Sequence, residues 1–127
     1  MRLALITLSV VALTGCSTIK DMIPSFWDPN QAQKIIDIRQ TVHSLDCKAE
    51  HAPQAARIYK EVEWFEMYSQ SRDHRDMLRL IKPLKETAQE FHERTKKQQA
   101  SEMYCNLKKQ NLETQSKRAA EAIMGRF

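Results

Sequence analysis

Between Leu84 and Met124 the chain has neither glycine nor proline, so roughly forty consecutive residues offer nothing that would stop a helix on backbone grounds. The rest is nearly as uninterrupted, with 2 Gly and 4 Pro in 127 residues and a charged fraction of 28%. Long Val/Ile/Thr alternation is absent, which argues against a sheet. The composition is that of a helix-rich, solvated body rather than a disordered tail. One long helix and two shorter ones satisfy local propensity equally over 84–124. Something beyond propensity must decide between them.

Apolar spacing supplies the other helices. Asp28-Pro29-Asn30-Gln31 reads as a helix start: Asp as N-cap, Pro at the first helical position where its missing N–H has no partner, and Gln31 placed to complete a capping box. Ala32, Ile35, Ile38, Val42 and Leu45 then recur at steps of three and four, predicting a helix that ends near Lys48. His51-Ala52-Pro53 breaks the pattern, because the residue before proline is pushed from the α region. A second helix should follow, with Ala55, Ile58, Val62, Phe65 and Tyr68 inward and Tyr59 and Trp64 widening the stripe. After a polar break at 69–72, Ser71 is a plausible cap for a third helix carrying Met77, Leu78, Ile81, Leu84, Ala88 and Phe91, with Pro83 expected to kink or restart it. Met103, Leu107, Leu112, Ala119, Ala122 and Ile123 continue more weakly. The fold class expected is all-α: a small antiparallel bundle of three to four helices.

The N-terminus has a different grammar. Arg2 precedes a mostly apolar run, Leu3 to Leu13, which spans about 16 Å as a helix against a hydrocarbon core of about 30 Å; that order fits a cleavable export signal, not a membrane anchor. Leu13-Thr14-Gly15-Cys16 resembles the lipobox of bacterial lipoproteins, in which the Cys thiol receives a diacylglyceryl group and the residue becomes the mature N-terminus. The resemblance implies a signal peptide over 1–15, lipidation with palmitate-type chains at Cys16, a lipidated tether over 16–27 and a helical domain over 28–127. Ser17, where an Asp would favour retention, implies the outer membrane, facing the periplasm, in a Gram-negative host. The bland alternative is an ordinary secretory signal followed by a plain Cys. Ile23-Pro24-Ser25-Phe26-Trp27-Asp28, the spaced Cys pair and Gly125-Arg126-Phe127 are also similar to small uncharacterised lipoproteins of bacteria and their phages. In the tether, Ile19, Met22, Ile23, Phe26 and Trp27 are too apolar for an idle linker and are expected to dock on the domain, the alternative for Phe26 and Trp27 being the membrane interface.

If the chain is exported, the oxidising compartment makes Cys47 and Cys105 candidates for a disulfide. That pairing would decide the long-helix question. In an up-down-up arrangement a first helix starting near residue 29 carries Cys47 to about 27 Å, a third rising from residue 73 reaches that height near residue 91, and a straight Cys105 overshoots by about 20 Å. Bonded cysteines need Cα atoms within roughly 7 Å, so the chain should turn near 95–101 and return as a fourth helix. Free cysteines would leave one long projecting helix.

Chemistry-bearing motifs are sparse. His43, Cys47 and His51 stand at steps of four and Cys105 could add a fourth zinc ligand, but Pro53 works against a helix through residue 51, so no metal and no cofactor are expected. Zincin, nucleophile-elbow and phosphate-loop patterns are missing. The pairs in Phe91-His92-Glu93 and Arg72-Asp73-His74 point about 100° apart on a helix, and Glu63 with Glu66 reads as a solvated face. Trp64, Phe65 and Tyr68 are expected to be core. A net charge of +4 spread among 16 acids lacks the concentrated basic stripe of a nucleic-acid binder. The function expected is a non-enzymatic binding or structural module of the cell envelope, held to the membrane through the lipid on Cys16 and facing an envelope protein of unspecified identity. The alternatives are an outer-membrane spanin subunit of a phage lysis system and a superinfection-exclusion or inhibitor lipoprotein.

Overall fold

The computed structural model describes residues 24–126; the signal segment, Cys16 and the tether positions Ile19, Met22 and Ile23 lie outside them. The described residues form four helices and no strand: α1 (Pro29–His43), α2 (His51–Ser71), α3 (Arg75–Lys97) and α4 (Glu102–Met124). Each packs on its neighbours, α1 on α2, α2 on α3, α3 on α4 and α4 back on α1, giving an antiparallel four-helix bundle. None of these helices is long and apolar enough to cross a membrane.

The helix termini follow local chemistry, with departures from expectation that have physical causes. Asp28 caps α1 as expected, its carboxylate accepting from the N–H groups of Asn30 (2.9 Å) and Gln31 (3.2 Å), and Pro29 occupies the first position. Gln31 does not close a capping box; its side chain is fully buried in the bundle. α1 stops at His43, five residues before Lys48, because Asp46 turns the chain by accepting the Lys48 N–H while Gln54 accepts the Asp46 N–H. Leu45 and Cys47 are therefore core residues of a loop. α2 begins at His51, before Pro53, because first-turn N–H groups have no intrahelical acceptor and a proline among them costs no hydrogen bond. The His51 N–H is taken instead by Gln99 Oε1 at 3.0 Å.

Ser71 closes α2 instead of capping α3. Asp73 adopts a left-handed φ of 52°, its N–H bonds to Gln70 O and the His74 N–H to Ser69 O, which is the Schellman arrangement of a helix end. α3 then runs through Pro83 without restarting, with Pro83 on its exposed face. It ends at Lys97, and Ser101, accepting the Tyr104 N–H at 3.1 Å, caps α4. Residues 84–124 are thus two helices joined by a turn at 98–101.

The core is the set of expected stripes with α4 rotated. Ile35, Ile38, Val42, Ile58, Val62, Phe65, Ile81, Leu84 and Phe91 are almost completely buried, each contributing on the order of 1.5–3 kcal/mol by removal of apolar surface from water. On α4 the inward positions are Cys105, Lys108, Leu112, Ser116, Ala119 and Ile123, while Met103, Leu107 and Ala122 face out. Two polar residues on the inner face blur the hydrophobic pattern. Lys108 earns its place by pairing with Glu90 at 2.9 Å and lying over the Tyr104 ring.

Cys47 and Cys105 are bonded, with Cα atoms 5.6 Å apart and a sequence separation of 58. Removing the bond (Cys47→Ala with Cys105→Ala) should lower the unfolding free energy by about 4 kcal/mol on the chain-entropy scale. Urea unfolding with and without reductant checks this: reduced wild type should fall to the level of the double variant, which reductant leaves unchanged.

Candidate functional site

The two ends of the bundle are built differently. At the disulfide end the loop 44–50 is stitched to α2 and to the turn at 98–101: Gln54 Nε2 donates to the carbonyls of Asp46 and Glu50, Gln99 Nε2 donates to Ala49 O, and Lys109 Nζ donates to Leu45 O at 2.8 Å. His51 is fully buried, and its Nε2 lies 2.7 Å from Cys47 O, which as a carbonyl can only accept. The proton therefore sits on Nε2. The ring packs against Phe91, and Phe91 against Tyr104.

This geometry does not assemble the four conceivable zinc ligands. Cys47 and Cys105 hold each other, His51 turns Nε2 to a carbonyl, and His43 lies on the exposed surface 3.7 Å from Glu113. The conceivable acid–base pairs are committed elsewhere too. Glu66 is gripped by Lys85, whose Nζ lies within 2.6 Å of both carboxylate oxygens and whose pKa is raised by that hydrogen bond. His92 stacks on Tyr59 at 5.0 Å, and burial followed by the nearby Lys96 charge lowers its pKa. Of the aromatic trio only Phe65 is core. Trp64 is half-exposed, stacked on Tyr68 at 5.0 Å with Lys34 Nζ 4.9 Å from the ring centre. An open groove of about 560 Å³ between α1 and α4 is lined by Arg39, Gln40, His43, Glu113 and Lys117.

The opposite end gathers the start of α1, the α2–α3 turn, the end of α4 and the tether into one polar network. Gln31 Nε2 donates to Ser69 Oγ (3.1 Å) and to His74 Nδ1 (3.0 Å), and Gln31 Oε1 accepts from Arg126 Nη1 at 2.9 Å. Arg126 Nη2 reaches Asp76 Oδ2 at 3.0 Å, and Asp76 in turn takes the backbone N–H of Ser25 at 2.9 Å and the Ser25 hydroxyl. Beside it, Tyr68 donates to Asp28 and accepts from Asn30 Nδ2 at 2.9 Å, with Arg72 3.9 Å from the Asp28 carboxylate. Burial pushes the Asp76 carboxyl up, but the Ser25 hydroxyl and N–H and the Arg126 guanidinium outweigh it and hold it below the usual carboxylate range. Asp28 is likewise lowered, burial being outweighed by the Gln31 N–H, the Tyr68 phenol, the Asn30 N–H and Arg72.

The tether therefore docks, but through Ser25 and not through its aromatics. Phe26 is 83% exposed and Trp27 43%, against the expectation that they would fold onto the domain. Sequence reading missed Gln31, His74, Asp76 and Arg126, since a lone polar residue at a helix end carries no periodic signal. No family model matches the chain, and no curated protein or solved structure is significantly similar to it.

His74 gives this network a pH dependence. Desolvation, then the Arg126 charge, lowers its pKa from 6.5, and a proton on Nδ1 would also oppose the Gln31 donor. The folded chain thus binds that proton less readily than the unfolded chain. The associated stability is complete above about pH 6.5 and is lost as pH falls through the lowered folded value. Urea midpoints measured from pH 7.5 down to 5 should fall, and His74→Asn, which keeps an acceptor but cannot titrate, should flatten the slope in part, His92 supplying the remainder.

Proposed function

We propose that the chain is an exported lipoprotein, acylated on Cys16, whose bundle is a non-enzymatic binding or structural module facing the periplasm from the outer membrane. The observation that carries the reading is the run from Arg2 through the apolar segment to Leu13-Thr14-Gly15-Cys16. The Cys47–Cys105 bond supports it, because such bonds persist in oxidising compartments and are rare where thiols are kept reduced. Ser17 supports the outer-membrane destination. The engagement of Glu66, His92 and His51 in structural contacts, together with the openness of the groove that Arg39, His43, Glu113 and Lys117 help to line, favours recognition of a macromolecular surface over turnover of a small substrate. The partner is then another envelope component, met by the polar flanks of the helices.

Labelling growing cells with radioactive palmitate tests the anchor. Wild type should take up label and fractionate with outer membranes, whereas Cys16→Ser should lose the label and either stall as precursor or appear in the soluble fraction. Label retained by Cys16→Ser would refute acylation at that residue.

A further inference from the structure

Among the described residues the exposed aromatic side chains gather toward one end of the bundle, whereas the exposed apolar side chains at the disulfide end, Met103 at 83% and Leu107 at 54% on the first turns of α4, are aliphatic. Phe26, Trp27, Met67 at 61% and Met124 at 43% are exposed at or near the end where Ser25 docks. The bonds that fix their placement are already described: Ser25 is held on the first turn of α3, Asp28 on the end of α2, and Arg126, two residues beyond Met124, on the start of α1. Arg72, Arg75 and Arg79 stand at the same corner, where α2 passes into α3, Arg72 beside Asp28 and Arg75 paired with Asp73 at 3.2 Å. The carboxylates of Asp28 and Asp76 there are occupied by protein donors. This is an aromatic and methionine rim with cations beside it.

We propose that this end of the bundle rests on the phospholipid surface, with Phe26 and Trp27 seated among the headgroups, so that the disulfide end and the α1–α4 groove point away from the membrane. The inference rests on acylation of Cys16 and goes beyond it by fixing an orientation. Reach decides which end can meet the lipid. Ser25 lies nine positions after Cys16, which spans at most about 32 Å whatever its conformation. The 23-residue helices α3 and α4 are each about 34 Å long. With Ser25 bonded to Asp76 in the first turn of α3, a bundle standing on its disulfide end would hold Ser25 about 32 Å plus the height of the 98–101 turn above the bilayer, at or past the full extension of that segment. A bundle lying on its side would press flanks carrying Lys82, Glu86, Glu90 and Lys109 onto lipid. Aromatic rings with one polar edge are at home in the headgroup layer, and cations favour anionic headgroups.

The two tryptophans allow a direct test on the full acylated chain. Trp64 lies about 10 Å up α2 from its end, so Trp64→Phe leaves only the membrane-end reporter and Trp27→Phe only the flank reporter. Both variants, with circular dichroism and melting matched to wild type, would be reconstituted into phosphatidylethanolamine–phosphatidylglycerol vesicles with acyl chains brominated near the headgroup. Trp27 should be quenched at least about threefold more strongly than Trp64. Equal quenching of the two, stronger quenching of Trp64, or quenching of neither, in palmitate-labelled protein that floats with the vesicles, would overturn the orientation while leaving the anchor intact. Protein that neither carries label nor floats would overturn the anchor, and the orientation with it.

Discussion

The covalent link between Cys47 and Cys105 is the constraint around which the rest of the bundle is arranged. Local propensity permits residues 84–124 to run as a single rod, whose far half would have no surface on which to bury Leu112, Ala119 and Ile123. Joining residue 105 to the loop after α1 requires the chain to reverse at 98–101, and the reversal lays α4 along α1 and α3. Entropy and packing then act together: the bond removes extended unfolded conformations, and the returned helix supplies the fourth wall of the core. The turn itself is fixed by cheap local devices, a Ser101 cap and the Gln99 side chain, which accepts the His51 N–H and donates to Ala49 O.

At the other end no covalent link is available, and polar groups close the bundle instead. Arg126, with its side chain 6% exposed, bridges Gln31 of α1 and Asp76 of α3, so the end of α4 is locked against the two helices that flank it. Such a partly buried, hydrogen-bonded pair is sensitive to loss of either partner, because the remaining charge keeps its desolvation cost. Ser25 on the same carboxylate makes the path of the tether part of the fold. The two ends thus respond to different chemistry, one to reductant and the other to pH.

The all-α class, the breaks before and after α2, and most of the core are legible from three-four spacing and capping residues, whereas the division of 84–124 into two helices follows only from pairing Cys47 with Cys105. α1, α2 and α3 bury most of the residues that their stripes nominate, Tyr59, Tyr68 and Leu78 being only partly covered and Trp64 exposed. The misreadings have identifiable causes. α1 ends before Lys48 because an Asx turn outcompetes the helix; Pro53 is no barrier to α2 because a first-turn proline breaks no bond; Ser71 closes α2 and does not cap α3 because Asp73 adopts the left-handed conformation. α4 was misphased because Lys108 and Ser116 face inward. The disulfide could be reasoned from the expected compartment. The Gln31–His74–Asp76–Arg126 network could not, since its members come from four separate segments and meet only after folding.

The path of α4, and with it the four-walled core, depends on the bonded cysteine pair. The most direct measurement is peptide mapping by mass spectrometry of protein recovered from the envelope and alkylated before any reduction. The expected result is a single linked pair of peptides carrying Cys47 and Cys105, with both thiols alkylated only after reductant is added. Recovery of either cysteine as an alkylated free thiol in unreduced protein would contradict the bonded pair and, with it, the constraint that returns α4 to the bundle.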